Sequence, residues 1–193
     1  VINFTITIQG TAPLLMHNAR LSDPIDPVTR EAKKISAKQR KTDEDHLELA
    51  RLEHAGGLYL DEDAGPYIPS DNIWRSLYDA AKKYKSGPKV KEGIMFTTDV
   101  NPLIYNGPRT VEGLWADANF RHRASVVVDR KRVTRTRPMF RQWVTDAQGI
   151  LDPNILDLET LAMFADTAGS LIGLGDWRPR YGKYAATIER TAK

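Results

Sequence analysis

From Ile2 to Gln9 the chain alternates without a break. Ile2, Phe4, Ile6 and Ile8 fall on one face, and Asn3, Thr5, Thr7 and Gln9 fall on the other. A period of two with every apolar residue in phase predicts a strand with one covered and one open face. Gly10 and Pro13 interrupt it, and Leu14, Leu15 and Met16 continue it after a bulge.

The order of the later elements follows from local signals. Asp23-Pro24 and Asp26-Pro27 predict turns, and a basic tract over 33–41 follows them. Thr42 reads as a helix N-cap with Asp43, Glu44 and Asp45 in the first turn; Gly56-Gly57 stand beyond the helix end, and Leu49 and Leu52 form its narrow apolar stripe. Residues 17–57 are therefore read as an inserted arm, and Gly57 to Ile68 as a short hairpin. Ser70 is expected to cap a helix to about Lys85 that carries Ile73, Trp74, Leu77, Ala81 and Tyr84 at helical spacing and stops at Gly87-Pro88. Strands are predicted over 94–105 and over 124–144. Asp157 caps a helix through Leu161, Ala165, Ala168 and Ile172, ended by Gly173 and Gly175; Tyr184 to Ile188 form the last strand. The sequence β, arm, α, β, β, α, β predicts an α+β fold. It is a ferredoxin-like βαββαβ core with an arm after strand one, in a single domain over 1–193.

Composition narrows the setting. Cysteine is absent, which leaves no disulfide or thiolate metal site and agrees with a reducing cytoplasm. No apolar run is long enough to cross a bilayer, and no charged-then-apolar leader is present, so a cytoplasmic protein without membrane contact is expected. The net charge is only +3, but it is unevenly spread. Arg121, Arg123, Arg130, Lys131, Arg132, Arg135, Arg137 and Arg141 face one acid, Asp129, over 121–141. Lys33, Lys34, Lys38, Arg40 and Lys41 face only Glu31 over 31–41, which leaves the rest of the chain acidic. Two concentrated basic segments on an acidic body are what polyanion binding requires.

The candidate site residues carry distinct chemistries. On a strand, Arg135 and Arg137 share a face with Val133, while Arg132 joins Thr134 and Thr136. Together with Arg130 they are expected to form a phosphate track on the open face of the sheet. Lys33, Lys34, Lys38, Arg40 and Lys41 act by charge alone, on a nucleic-acid backbone or as a solvated loop. Gly173 and Gly175 allow close backbone approach to a phosphate, or else serve as a helix C-cap. Arg178, Arg180 and Lys183 add charge beside them, and Trp177 offers a stacking face. His17, at the end of the first strand, could serve as a general base, or as a hydrogen-bonded strand-end histidine. Asp23 and Asp26 could hold a magnesium ion beside a phosphodiester, although each precedes a proline and signals a turn first. No Ser–His–Asp set, Walker loop or dinucleotide fingerprint is present.

Two stretches resemble the RAMP superfamily, the proteins that build CRISPR effector complexes. Tyr67-Ile68-Pro69-Ser70-Asp71-Asn72-Ile73 is similar to that family's entry into its first helix. Ile172-Gly173-Leu174-Gly175-Asp176-Trp177-Arg178-Pro179-Arg180-Tyr181-Gly182-Lys183-Tyr184 is similar to its glycine-rich loop before the last strand. The resemblance implies that the arm is a thumb, as in backbone subunits, and that Asp23 and Asp26 lie where cleaving relatives carry a metal-assisting aspartate. It implies single-stranded RNA or DNA, further copies of the chain and other effector subunits as partners, in a full complex or in a phage or mobile-element setting. The expected function is a non-enzymatic, cofactor-free subunit that coats a single strand. The alternatives are a magnesium-dependent endoribonuclease and a protein-interaction module for an acidic partner.

Overall fold

The computed structural model describes residues 1–128 and 130–191. In chain order the elements are β1 (Ile2–Gly10), β2 (Leu14–Leu15), α1 (Pro27–Ser36), α2 (Asp43–Gly57), β3 (Leu60–Asp61), β4 (Gly65–Pro69), α3 (Ser70–Lys83) and α4 (Gly87–Gly93). There follow β5 (Ile94–Phe96), β6 (Val100–Pro102), α5 (Val111–Ala116), β7 (Arg121–Val128), β8 (Lys131–Phe140), β9 (Val144–Leu151), α6 (Leu158–Thr167) and β10 (Tyr184–Arg190). The described residues thus form a mixed α+β chain with six α-helices. No helix among them is long and apolar enough to cross a membrane. They divide into two compact units, one made of Val1–Leu14, Leu60–Asn106 and Arg141–Lys193, the other of Leu15–Tyr59 and Gly107–Phe140.

The first unit holds a four-stranded sheet in the order β10-β1-β9-β5, antiparallel at each pairing. The alternation of β1 acts as its pattern dictates: Phe4, Ile6 and Ile8 are fully buried, and Ile6 stands between Ala147 and Ile188. α3 buries Ile73, Leu77, Ala80 and Ala81, and α6 buries Leu161, Phe164 and Ala165. Each large side chain removed from water stabilises the fold by about 1.5–3 kcal/mol, so packing rather than helix propensity holds these helices.

Several expected elements come out differently. The strand expected over 94–105 is broken: β5 joins the four-stranded sheet, whereas β6 pairs with β4. Ser70 is not the N-cap of α3 but its first residue, behind Pro69. Its hydroxyl donates to the carbonyl of Thr98 and accepts from Asn101 Nδ2 at 2.9 Å, because the β4–β6 pairing brings both alongside. The strand expected over 124–144 is a hairpin followed by a separate strand. The chain reverses at Arg130, which has a φ of +66°, so β8 returns along β7 and only β9 enters the four-stranded sheet. The basic residues 130–137 therefore do not lie on the open face of that sheet.

The second unit is built from two sequence-distant segments. Its sheet runs β2-β8-β7, with α2 packed on β8 and α1 packed on α2. The expected arm over 17–57 falls within it, but shares it with residues 107–140. Leu52, His54, Leu114, Phe120, Met139 and Phe140 are buried there, and Phe120 meets Phe140 edge-on at 5.7 Å between ring centres. Gly56 and Gly57 are the last residues of α2 rather than lying beyond it. A Cβ on either would run into Leu21 or Pro138.

Candidate nucleic-acid interface

The second unit positions its charged side chains through two well-capped helices. Asp26 caps α1, accepting from the amides of Val28 and Thr29 at 2.9 and 3.1 Å, and Pro27 at the first helical position leaves no stranded donor. Thr42 and Asp45 close a reciprocal capping box on α2. The helix over 27–36 is a correction to the expected loop-like tract. It places Lys33 and Lys34 in its last turn, where cations favour the C-terminal end of the helix dipole.

Two clefts lie side by side in this unit. The larger, of about 470 Å³, is lined by Lys41, His46, Arg123, Arg132 and Arg135 together with Glu53. The smaller, of about 330 Å³, is lined by His17, Lys33, Arg135 and Arg137, again with Glu53. Ser36, Leu49, Glu53 and Arg135 belong to both walls. The arm tract and the basic strand, separate in sequence, thus meet across one carboxylate. Glu53 accepts from Arg135 Nη1 at 2.6 Å and from the backbone amide of Thr136 at 2.9 Å, and its side chain is only 9% exposed. That carboxylate satisfies the Thr136 amide of β8 and holds Arg135 in place between the clefts.

The remaining predicted residues are placed as follows. Lys34 pairs with Glu31 at 3.0 Å, Lys38 pairs with Asp45 at 2.5 Å, and Lys41 Nζ donates to the carbonyl of Lys38. Such exposed pairs contribute about 0–1 kcal/mol and exchange readily for other anions. Arg40 is exposed beyond α1, and Arg130 is exposed at the tip of the β7–β8 hairpin. Asp129, the one acid of the basic strand segment, lies outside the described residues. Asp23 Oδ1 accepts from the amide of Ile25, and Asp26 Oδ2 from Arg20 Nε at 2.9 Å. Burial pushes the Asp26 carboxyl up. The Arg20 hydrogen bond and the cap amides outweigh that and hold it below the usual carboxylate range. Among the described residues no group of three or more His, Asp or Glu is placed to hold a metal ion.

The glycine-rich loop lies in the first unit. Gly173 caps the turn after α6 with a φ of +80°, Gly175 has a φ of +76°, and Gly182 a φ of +71°. The loop closes on itself: the amide of Leu174 donates to the carbonyl of Gly182 at 2.8 Å, and a Cβ on Gly182 would land on the carbonyl of Leu174. A Cβ on Gly173 would lie 2.9 Å from the carbonyl oxygen of Tyr181. The requirement for glycine at 173 and 182 is met by the loop's own backbone. Trp177 is half-buried, with its ring centre 6.0 Å from that of Tyr181, and Arg180 lies over Tyr181 at 5.6 Å. Arg178 is exposed and Lys183 half-buried.

Sequence reasoning counts Arg121 and Arg123 in the basic segment without placing them at the site, and it passes over Glu53, His46 and Trp115 as site residues. A carboxylate at position 53, four residues after Leu49 on the apolar stripe of α2, is the readable signal for Glu53. The others depend on contacts between separate elements. Arg121 stacks on Trp115 with its guanidinium carbon 4.9 Å from the ring centre, and His54 meets the same indole edge-on at 5.5 Å. His54 is fully buried and donates from Nε2 to the carbonyl of Phe120 at 3.0 Å. Burial pushes its pKa below the ordinary histidine value, and the nearby Arg121 charge adds to this. Comparison of the chain with protein-family models finds no matching family, and comparison with curated protein sequences finds no match.

Proposed function

We propose that the chain is a single-stranded nucleic-acid-binding subunit, with RNA the preferred strand, that assembles side by side along its ligand. One observation carries this reading. The two basic segments form the walls of adjoining clefts, with Lys33, Lys41, Arg123, Arg132, Arg135 and Arg137 against the carboxylate of Glu53. A cleft walled by cations follows a sugar–phosphate backbone without reading its sequence. The order β10-β1-β9-β5, with α3 following the sheet's first strand in the chain and α6 its third, supports a ferredoxin-like core. That core, with the segment inserted after β1, supports kinship with RAMP proteins and a ribonucleoprotein in the manner of CRISPR effectors. Asp26 is engaged as a helix cap and by Arg20, so the reading rests on binding rather than on cleavage.

The test is a salt titration of binding to a fluorescent oligouridylate. The triple variant Lys33→Ala, Lys41→Ala, Arg132→Ala leaves the Glu53–Arg135 pair intact. It should flatten the log–log salt slope by about 2, at about 0.7 per lost phosphate contact. An unchanged slope removes the clefts from the binding site. Light scattering on long strands should register masses that rise with strand length, and a monomer on every strand would remove the assembly.

A further inference from the structure

The four-stranded sheet buries the face of Phe4, Ile6 and Ile8 and turns the other face outward. The register sets out that other face in rows. Asp146, Thr7 and Thr187 stand side by side, and the next row is Gln148, Thr5 and Glu189. Asp146, Gln148, Thr187 and Glu189 are exposed. At the two ends of β9 the face becomes apolar. Met95 lies beside Ile150 and is 58% exposed, and Ile104 lies beside Val144 and is 56% exposed. Within the four strands no lysine, arginine or aromatic residue shares this face. Two carboxylates without a cation repel a phosphate chain, and without a ring no base can stack there. Such a face matches a partner that brings cations and a little apolar surface.

The second unit presents that chemistry at the tip of the β7–β8 hairpin. The chain reverses at Arg130, and Arg130 and Lys131 are both exposed. Val127, on the opposite strand, is 65% exposed. None of the three lines either cleft described above, so the tip can be covered while both clefts hold a strand.

We infer that the hairpin tip of one copy docks on the open sheet face of the next copy, with Arg130 and Lys131 on Asp146 and Glu189 and with Val127 on the apolar margin of β9. The inference rests on the reading of side-by-side assembly and names the surfaces that reading leaves open. The charges decide which patch meets which, and exposed apolar side chains on both partners leave water together. Two different patches meet, so each contact leaves one of each free and the array extends without closing at two copies. Growth of that kind is what masses that rise with strand length require.

The experiment reverses the charges of each patch separately in the whole chain. One variant is Asp146→Lys with Glu189→Lys, the other Arg130→Glu with Lys131→Glu. The probe is an oligouridylate of about 60 nucleotides, with room for about four or more copies, mixed with one copy of protein per strand. The number of copies on each strand is read by single-particle mass measurement. The natural chain should fill some strands and leave others bare. Either variant alone should spread one copy to a strand, and an equimolar mixture of the two should fill strands again, because each now offers the charge that the other lacks. On an oligouridylate of about 12 nucleotides the Asp146→Lys, Glu189→Lys variant should bind at least as tightly as the natural chain, which separates lost assembly from lost folding. If each variant alone still fills strands, or if the mixture stays at one copy per strand while the natural chain fills them, the contact is overturned and the assembly reading stands on another surface. If the natural chain itself spreads one copy to a strand, the assembly reading falls and this contact falls with it.

Discussion

Replacing Glu53 by Gln should move stability and affinity in opposite directions. The carboxylate holds Arg135 Nη1 at 2.6 Å and the Thr136 amide at 2.9 Å. In Glu53→Gln the side-chain carbonyl can still accept from one of them, but without charge. A hydrogen bond to a charged group contributes about 1.5–3 kcal/mol and a neutral one about 0.5–1.5, so the loss is about 1–2 kcal/mol. The Arg135 side chain is 34% exposed, and water screens it, which places the cost near the lower end. For a chain of 193 residues that is a fall in melting temperature of about 2–4 °C. The same change frees Arg135 on the wall shared by both clefts. One additional phosphate contact steepens the salt slope by about 0.7 and tightens binding severalfold at low salt. Thermal melts and anisotropy titrations on the same preparation read both quantities. A variant that melts earlier and binds more weakly, with its slope unchanged, would show that Arg135 is structural and refute the reasoning.

Further perturbations separate folding from binding. His54 has a folded-state pKa below its unfolded value near 6.5, so the unfolded chain takes up more protons as the pH falls. Its contribution is present in full above pH 6.5 and is lost as the pH drops toward the folded pKa. Urea midpoints between about pH 7.5 and 5.5 should decline for the natural chain and decline less for His54→Phe, and equal declines would contradict it. Gly182→Ala places a Cβ on the carbonyl of Leu174 at a φ of +71° and should cost about 2–5 kcal/mol of stability, read from the same urea midpoints. Trp177→Ala, at a half-buried ring, should leave the melting temperature within about 2 °C and weaken strand binding, as expected for a stacked base worth about 1–3 kcal/mol. Early melting of Trp177→Ala with normal binding would make the whole loop structural.

The parts of the fold that are legible in the sequence are those set by local pattern. The alternation of β1, the N-cap at Thr42 and the cap at Asp157 each depend on residues within a few positions, and each occurs where the pattern places it. The hairpin at 121–140 escapes such a reading because no glycine or proline marks a turn between Val126 and Val133; Arg130 adopts the left-handed turn that glycine normally supplies. The candidate site is legible as two charge clusters but not as one place. Glu53 and Thr136 are 83 residues apart, and no local rule pairs a carboxylate on a helix with a backbone amide of a distant strand. The glycines at 173 and 182 are legible as a special loop, but the carbonyls that exclude a side chain there belong to its other limb.

The division of the second unit between two stretches of chain has a consequence for its synthesis. Residues 15–59 leave the ribosome first, and Thr136, whose amide donates to the Glu53 carboxylate, follows 83 residues after that side chain. At about 5–20 residues per second the interval is about 4–17 seconds. A 15-residue helix is marginal on its own in water, so α2 spends that time sampling unfolded states with Ala50, Leu52 and His54 open to solvent. A burst of nascent-chain exposure is thus built into the order of the message, and it ends when the hairpin emerges. A slow stretch of codons that halts the chain before the hairpin has cleared the ribosome would prolong it.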